Sequence, residues 1–317
     1  MQLCNYISER FAKADLKERA THAMKIIIVS NQSNKDTLDA LFQIVAYLDA
    51  QGIDHVELDV ADLPDSSSAC EPLSNTAFAH FGTEFDLIIT LGGDGTIIHT
   101  ARLAHIIDAP ILGINFGHLG FLANTIEGGT IALIADALAG DIVHEQRVNL
   151  HVHVECVGDD VEEPEEPRDF FALNEIAIAR GALGHIVDFS FDVSGDRIAA
   201  MRGDGIIVST ATGSTAYSLS AGGPLVGPSN RGMIAIPLAP HSLNSRAVVC
   251  EHHDVVEVSF EEGSPSSWEV SLFADGDALE ITRPISSIVV TTGERTTTLL
   301  TRREESFYKQ IARTFFK

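Results

Sequence analysis

One carboxylate stands among three glycines directly after an apolar run of the chain. The segment 91–96 reads Leu-Gly-Gly-Asp-Gly-Thr, and the apolar residues Leu-Ile-Ile precede it at 87–89. Glycines permit backbone angles closed to other residues, and they remove Cβ atoms that would hold a phosphate away. Because a bare carboxylate repels phosphate, Asp94 must hold a metal, accept a proton or bind a hydroxyl. The segment alone is also compatible with an ordinary strand-to-helix turn.

A hydroxyl-rich block follows a second apolar run, at residues 205–209. Residues 209–218 read Ser-Thr-Ala-Thr-Gly-Ser-Thr-Ala-Tyr-Ser, which places seven hydroxyl-bearing side chains and a glycine within ten positions. Small hydroxyl residues and exposed amides offer neutral donors to a pyrophosphate or a ribose. Tyr217 can stack on a ring or donate its phenol. A serine nucleophile is not indicated, because the chain has no Gly-x-Ser-x-Gly elbow here.

Three further segments have residue types that could contact a ligand. Asn174 and Glu175 lie inside an apolar strand pattern, where an amide and a carboxylate need partners; either they bind ribose hydroxyls or Glu175 faces water. Residues 117–122 form another glycine-rich crossing, in which Phe121 either covers a base or packs into the core. Residues 274–278, Ala-Asp-Gly-Asp-Ala, read by themselves only as a hairpin. The histidine pairs at 151 and 153 and at 252 and 253 lack metal-ligand spacing, which favours structural roles.

Composition limits the partners and the phosphate chemistry. The 317 residues carry a formal net charge of −24, which argues against nucleic acid and against an anionic membrane surface. No lysine occurs from residue 36 to residue 308, and no Gly-Lys-Ser/Thr is present, so a P-loop is excluded. Any phosphate chemistry must use backbone amides, arginine or a divalent metal. Four scattered cysteines without a Cys-x-x-Cys pair, no apolar signal core and no long apolar run predict a cytoplasmic protein with reduced thiols.

The elements that must position these residues are alternating strands and helices in the first part of the chain and mostly strands in the second. Strand and helix patterns alternate over residues 25–146, which predicts an open, mostly parallel, Rossmann-like α/β domain after a polar leader at residues 1–24. Residues 147–294 read as many short strands with few helices, which predicts a β-rich, sandwich-like domain. The segment 295–317 ends in a helix expected to pack back and to join the first domain. Ligands of such parallel sheets bind beyond the carboxyl ends of the strands.

In this order the motifs resemble those of the NAD kinase family. The resemblance rests on residues 92–96, 174–175 and 212–218, and on residues 117–122, 240–243 and 306–308; it covers roughly residues 25–317. Diacylglycerol and sphingosine kinases share the glycine–aspartate motif, and phosphofructokinases share it more loosely. The long block at 212–224 is much more specific to NAD kinases.

The resemblance implies ATP-dependent phosphorylation of the 2′-hydroxyl of the adenosine ribose of NAD, giving NADP. It also implies a divalent metal, with Mg²⁺ expected, and a homo-oligomer, a dimer or tetramer, whose site borrows residues across a subunit boundary. Asp94 matches the catalytic aspartate of the family. The residues that would bind the metal are not assigned. The residues expected to contact nucleotide are Asp94, Gly95, Phe121, Asn174, Glu175, His185, Arg202, Asp204, Thr215, Ala216, Tyr217, Ser218, Leu219, Ser220 and Asp277.

Two departures from the family pattern and two alternative functions remain open at this stage. Ala211 replaces a usual proline, which is expected to loosen that turn slightly, and Asp277 stands where many members carry glutamine.

A ribose hydroxyl is a poor nucleophile, so a carboxylate that accepts its proton raises the reaction rate on the order of 100-fold or more. A lipid kinase would need an apolar or basic membrane-facing surface, which the charge disfavours. A non-catalytic dinucleotide-binding regulator would tolerate the loss of Asp94.

Overall fold

The chain folds around two sheets, and one long strand connects the two regions within the larger sheet. A computed structural model describes residues 24–63, 84–117, 120–126, 128–158, 168–261, 263–302 and 305–316. The predicted leader, residues 1–24, lies outside the described residues except for Met24. So do His118 and Leu119 of the glycine-rich crossing at 117–122.

The first region is a parallel sheet with helices on both faces, as the alternating pattern predicts. Its strands are β1 (Lys25–Ser30), β2 (Asp54–Asp59), β3 (Leu87–Leu91) and β4 (Ile111–Ile114). Its helices are α1 (Lys35–Gln51), α2 (Asp94–Ile107) and α3 (Thr130–Ala139). The four strands pair in the order β2-β1-β3-β4, all parallel. Helices α1 and α3 cover one face with leucine and isoleucine side chains, and α2 covers the other.

Local sequence determines where helix α1 begins and ends. The Asn34 side chain caps the helix by accepting the N–H of Asp36, and Gly52 ends it in the left-handed conformation with φ 68°. Between these caps Leu41, Ile44 and Leu48 recur at helical spacing and are buried against the sheet. None of the helices in the described part of the chain is long and apolar enough to cross a membrane.

The second region is strand-rich, and its strands are mostly antiparallel. They are β5 (Val143–Cys156), β6 (Asp169–Ala172), β7 (Glu175–Arg180), β8 (Val187–Val193), β9 (Asp196–Gly203), β10 (Gly205–Ser209), β11 (Ile234–Leu238), β12 (Val248–Val249), β13 (Val256–Ser259), β14 (Val270–Ala274), β15 (Asp277–Leu279) and β16 (Ile285–Thr301). Two short helices, α4 (Tyr217–Ser220) and α5 (Ser266–Glu269), interrupt them, and α6 (Phe307–Phe315) follows.

The strands of the second region form a two-layer sandwich that confirms the predicted architecture. One layer is a six-stranded sheet in the order β12-β11-β10-β7-β14-β15. The other layer continues the first region's sheet, with β16, β13, β8 and β9 following β4, and with β5 and β6 paired beside β16. The largest apolar cluster, which includes Val152, Phe191 and Val258, fills the space between the layers. Each strand therefore buries one face in this core.

Two local predictions differ from the structure. The sequence of residues 268–273 predicts a strand, but α5 occupies Ser266–Glu269 and the strand starts only at Val270. The sequence does not predict strand β9, because the exposed edge position of this strand leaves polar residues such as Arg197 and Arg202 on the surface and weakens the apolar alternation.

Strand β16 connects the two regions physically. It pairs antiparallel with β5 and β13, and Leu299 pairs with Ile111 of β4 in parallel. The amide of the buried Asn124 reinforces this junction: its Nδ2 donates to the carbonyl oxygens of Gly113 (3.0 Å) and Leu300 (2.8 Å). Its Oδ1 accepts the N–H of Arg302 at 2.9 Å. One side chain thus ties β4 to the end of β16.

Replacing Asn124 by alanine is expected to lower the free energy of unfolding by about 2 kcal/mol or more. The change leaves buried backbone groups without partners, and each such group costs about 1–3 kcal/mol. Urea denaturation monitored by circular dichroism measures the difference. Asn244→Ala, at an exposed position, is the matched control and is expected to change stability by less than about 0.5 kcal/mol. Equal stability of the two variants would contradict the assigned role of Asn124.

Candidate active site

The glycine–aspartate turn lies at the carboxyl end of β3, where α2 begins at Asp94. A Cβ on Gly92 would overlap the Thr96 side chain, whereas a Cβ on Gly93 or Gly95 would meet no atom within 4 Å. None of these three glycines has positive φ. The expectation that they supply unusual backbone angles was therefore wrong. Gly92 is needed for close packing, and Gly93 and Gly95 leave open space beside the helix start.

The carboxylate of Asp94 is held by the backbone of the loop that follows β4. Its Oδ2 accepts the N–H of Phe121 at 2.6 Å, and its Oδ1 accepts the N–H of Leu122 at 3.1 Å. Gly120 lies so close that a Cβ there would overlap the carboxylate. The side chain is half-buried at the start of a 14-residue helix, where the helix dipole also favours negative charge. Asp94 is consequently fixed in position without any basic partner in its hydrogen bonds.

A cavity of about 580 Å³ opens at this turn. It is lined by Asn31, Val60, Ala61, Leu63, Gly93, Gly95, Thr96, His99 and Asp277. The last residue comes from the other region of the chain, and His99 Nδ1 lies 3.7 Å from Asp277 Oδ2. The predicted ligand residues Gly95 and Asp277 therefore face one space, beside the first turn of α2.

Residues 173–175 form a second fixed backbone segment, and a carboxylate again accepts its N–H groups. Asp275 accepts the N–H of Leu173 (2.6 Å), Asn174 (2.7 Å) and Glu175 (3.1 Å). Asp275 and Gly276 both have positive φ, as the two-residue turn between β14 and β15 requires. Burial raises the pKa of Asp275 to about 6, although the three N–H donors act in the opposite direction. The hairpin at 274–278 thus does more than reverse the chain.

The hydroxyl-rich block holds the carbonyl side of the same segment. Thr210 Oγ1 donates to the carbonyl of Leu173 at 2.7 Å, and the Thr210 N–H donates to the carbonyl of Asn174 at 2.8 Å. Ser209 Oγ also donates to Asn174, and Ser214 Oγ donates to the carbonyls of Ala211 and Val226. All three hydroxyls are fully buried. The expectation of a run of free hydroxyl donors is therefore corrected at these three positions, where the hydroxyls fix the protein backbone.

Glu175 is a buried carboxyl with an unsatisfied oxygen. Burial, together with the neighbouring charge of Asp275, raises the pKa of Glu175 to about 8. Its Oε2 has no hydrogen-bond partner, and the residue is 7% exposed. Of the two sequence alternatives, the one in which Glu175 faces water is wrong. A protonated carboxyl can donate as well as accept, so this group is suited to a ligand hydroxyl or amide.

The rest of the block places its side chains differently. The ring of Tyr217 is 45% exposed, and Ser218 Oγ is buried without a hydrogen-bond partner. Thr215 Oγ1 donates to the carbonyl of Thr212 at 3.2 Å. Ala216 and Leu219 are half-buried, and Ser220 is exposed. These six consecutive positions, 215–220, remain predicted contacts.

Three predicted contacts lie far from Glu175 within this chain. Strand β10 pairs Ser209 with Glu175 and Gly205 with Ala179, so Asp204 lies beyond the opposite end of that pairing, roughly 17 Å along the strand. Arg202 pairs with Asp188 at 2.7 Å, and His185 Nδ1 lies 2.6 Å from Glu269. Asp204 lies 3.3 Å from Arg180. Within one chain, these three residues therefore do not adjoin Glu175.

Phe121 contacts the last helix. Its ring stacks on Phe315 with centroids 5.9 Å apart and meets Phe307 edge-on at 6.0 Å. A second cavity, of about 660 Å³, lies between this loop, α6 and residues 227–229. Gln310 of α6 donates to the carbonyl of Gly120. The helix therefore packs back on the first region, as expected, and the ring of Phe121 is engaged by aromatic neighbours.

The histidine pairs have protein partners. His151 Nε2 and His153 Nδ1 lie 3.1 and 2.8 Å from Asp169 Oδ1, and the Thr292 hydroxyl donates to the carbonyl of His252. Among the described residues, no group of three or more histidine, cysteine, aspartate or glutamate side chains is arranged to hold a metal ion. The contacts with Asp169 and Thr292 agree with structural roles.

Sequence reasoning missed Asp275, Gln310 and His99. Asp275 was hidden because Asp-Gly is the ordinary composition of a two-residue hairpin turn. Gln310 and His99 act through contacts that join distant parts of the chain, and no local pattern marks them. The sequence signal for Asp275 was its place beside Gly276 in a turn, and many hairpins that bind nothing have the same pair.

The same chain matches known proteins over most of its length. The model of the ATP-NAD kinase N-terminal domain matches residues 16–142, and that of the C-terminal domain matches residues 173–301. The NAD kinase of Chlorobium luteolum is 31% identical over 291 residues, 92% of this chain and 96% of that protein. The NAD kinase of Laribacter hongkongensis is 33% identical over 259 residues, 82% of this chain and 86% of that protein.

Two solved structures share the fold. The yeast NADH kinase complexed with NADH has a TM-score of 0.77 at 22% identity, covering 92% of this chain and 87% of that one. An NAD kinase from Archaeoglobus fulgidus in complex with ATP has a TM-score of 0.65 at 23% identity, covering 91% of this chain and 98% of that one.

Replacing Glu175 by glutamine is expected to change the pH dependence of stability. Between its ordinary pKa near 4.5 and its raised pKa of about 8, the folded protein keeps a proton that the unfolded chain releases. Stability from this group therefore falls as pH rises through that window, by at most about 1.4 kcal/mol per pH unit. Relative to the parent chain, Glu175→Gln should gain about 2 kcal/mol or more between pH 5 and pH 8.

Chemical denaturation at several pH values measures this trend. Glu280→Gln, at an exposed position, is the matched control. A difference between Glu175→Gln and the parent chain that stays constant from pH 5 to pH 8 would refute the raised pKa.

Proposed function

The chain belongs to the NAD kinase family, and from that premise we propose how its residues perform the phosphoryl transfer. NAD kinase activity, the phosphorylation of an alcohol group of the dinucleotide, is its function, and both domains of the family are matched. This displaces the lipid-kinase and binding-only alternatives. The observation that carries the proposal for the site is the fixed carboxylate of Asp94, which stands between two glycines that line an open cavity.

The cavity beside Gly93 and Gly95 is proposed to receive the phosphates of ATP. Two glycines without side chains and the first turn of α2 line it, so backbone N–H groups and the positive end of the helix dipole face the space. The chain has no lysine from residue 36 to residue 308, so no ammonium group from this stretch competes for that role. Small lining residues, rather than a P-loop, give the phosphates room.

The dinucleotide is proposed to lie between the start of α2 and the segment fixed at residues 173–175. Asn174 and Glu175 lie at the start of β7, which pairs with β10, and the block at 215–220 follows β10. Asp94 accepts the proton of the 2′-hydroxyl of the adenosine ribose as that oxygen attacks the γ-phosphorus of ATP, and ADP leaves. A carboxylate oxygen has more than one lone pair, so accepting a backbone N–H leaves capacity for this proton.

A divalent cation, with Mg²⁺ proposed, fits the residues present. Mg²⁺ in such enzymes is held by one or two carboxylates together with substrate phosphates. The cavity offers Asp277, with Asp94 at the neighbouring turn, and no cage made of protein groups alone is found in the part of the chain that the structure describes. When bound, the ion would neutralise phosphate charge. Asp277 in place of glutamine adds negative charge on this side of the cavity.

A homo-oligomer is proposed because part of the predicted site lies at a distant surface. His185 and Arg202 are exposed far from Glu175, and next to them Leu183 and Leu243 expose 73% and 96% of their surface. The His241 N–H donates to the carbonyl of Arg202, which places the segment carrying Leu243 beside this end of β9. A second copy covering these leucines would bring its Asp94 site toward Arg202. Both described cysteines, Cys156 and Cys250, are buried, as expected of reduced thiols in a cytoplasmic enzyme.

Asp94→Asn is expected to fold normally and to lose nearly all turnover, by about 100-fold or more, because the neutral amide cannot accept the hydroxyl proton. NADP formation from NAD, ATP and Mg²⁺ is measured with an NADP-specific dehydrogenase. Asp39→Asn, an exposed aspartate on α1, is the control and should keep full activity. Near-normal turnover of Asp94→Asn would remove this residue from the mechanism, and absence of NADP from the parent chain would refute the proposal itself.

The parent chain is expected to be a dimer or tetramer, and the double substitution Leu183→Asp with Leu243→Asp is expected to dissociate it. Charged side chains in place of exposed leucines oppose burial in a subunit contact. Sedimentation equilibrium gives the subunit number, and the KM for NAD should rise several-fold in the dissociated variant. Phe42→Asp changes an exposed apolar side chain of α1 and should leave the assembly intact. A fully active monomer would contradict the shared site.

A further inference from the structure

The loop after β4 is the immediate support of the Asp94 carboxylate. Phe121 and Leu122 donate their N–H groups to its two oxygens, one to each. A carboxylate with both oxygens engaged cannot rotate about its last bond without breaking a hydrogen bond. The direction of the remaining lone pairs, toward which a hydroxyl proton must move, is thereby set by the position of residues 120–122.

That loop is in turn held by the last helix. The Gln310 side-chain amide donates to the carbonyl of Gly120, the residue packed directly against the carboxylate. The ring of Phe121 lies against Phe315 at a 9° interplanar angle and meets Phe307 edge-on. Helix α6 starts at the Ser306 cap and buries Ile311. Three side chains of one helix therefore contact two consecutive residues of the loop.

We propose that α6 is a positioning element for Asp94, in which Gln310, Phe307 and Phe315 fix residues 120–122 and the N–H groups of that loop fix the carboxylate. The proposal rests on the proposed role of Asp94 as proton acceptor. Gln310 touches no reacting atom and acts only through the loop. Small displacements of a reacting group have large kinetic effects, so a loosened loop should slow the chemical step more than it weakens substrate binding.

The test compares two variants of Gln310 with a neighbour on the same helix. Gln310→Ala removes the amide, and Gln310→Glu keeps the size of the side chain but replaces the donor by an acceptor that opposes the Gly120 carbonyl. Both are expected to lower kcat by about tenfold or more, with KM values for NAD and ATP within about twofold of the parent chain. Lys309→Ala, at an exposed position of α6, is the matched control and should leave kcat unchanged.

Hydrogen exchange gives a readout that a general loss of stability would not produce. The amides of Phe121 and Leu122 should exchange faster in both Gln310 variants than in the parent chain, while the amides of β1, whose core residues lie apart from α6, exchange at the parent rate. Phe315→Ala, which removes a partly exposed ring, should produce the same local change. Parent-like kcat in Gln310→Glu, or unchanged exchange at residues 121 and 122, would overturn the positioning role.

The two proposals fail in different ways. If Asp94→Asn is inactive while both Gln310 variants keep the parent kcat, the proton-acceptor role stands and the positioning role is refuted. If Asp94→Asn retains turnover, the role of Asp94 is refuted whatever the Gln310 variants do. A uniform rise in KM, without a fall in kcat, would assign α6 to substrate binding instead and would also overturn the proposal.

Discussion

Backbone N–H groups, rather than basic side chains, hold the acidic groups on which the site depends. Two N–H groups meet Asp94, and three meet Asp275. A carboxylate half out of water needs such donors, since its desolvation is otherwise costly. This arrangement suits a protein of formal charge −24 that binds phosphates. If a lysine neutralised the carboxylate, the carboxylate and the substrate phosphate would compete for the same ammonium group. The N–H groups of residues 121–122 and 173–175 therefore determine where these two carboxylates lie.

The same backbone must be held still, and the molecule does this from both sides. Buried hydroxyls of Ser209 and Thr210 bind the carbonyls of residues 173 and 174, while Asp275 binds the adjoining N–H groups. The two regions meet in the opposite layer, where strand β16 belongs to the same sheet as the parallel strands that end in the glycine turn. The position of Asp94 relative to residues 173–175 thus depends on how the two layers pack against each other. Relative movement of the two regions would have to bend strand β16.

The sequence predicted the fold and the position of the central carboxylate, but not what supports it. Alternating apolar runs predicted β1, β3 and α1, because burial on one face leaves a periodic pattern. Asp94 was predicted because a carboxylate between glycines has few structural uses. Asp275 and Gln310 were missed, since Asp275 accepts backbone N–H groups and Gln310 donates to a backbone carbonyl, both far away in sequence. A backbone group has no signature in the type of its residue. Edge strand β9 was missed because its exposed side carries polar residues, which weaken the alternating apolar pattern. The expectation of free hydroxyls at Ser209 and Thr210 was wrong, since a buried hydroxyl and a ligand-binding hydroxyl cannot be distinguished in a sequence.

The parallel pairing of β4 with the last strand has a consequence for folding during synthesis. Strand β4 leaves the ribosome long before Leu299 can pair with Ile111, so its outer edge of N–H and C=O groups stays open through most of translation. An open, apolar strand edge is a template for pairing with another nascent chain. Contacts between residues so far apart in the chain also form slowly. Cells producing this protein at high rates should therefore depend on chaperones that bind the emerging N-terminal half, until the final strand closes the sheet.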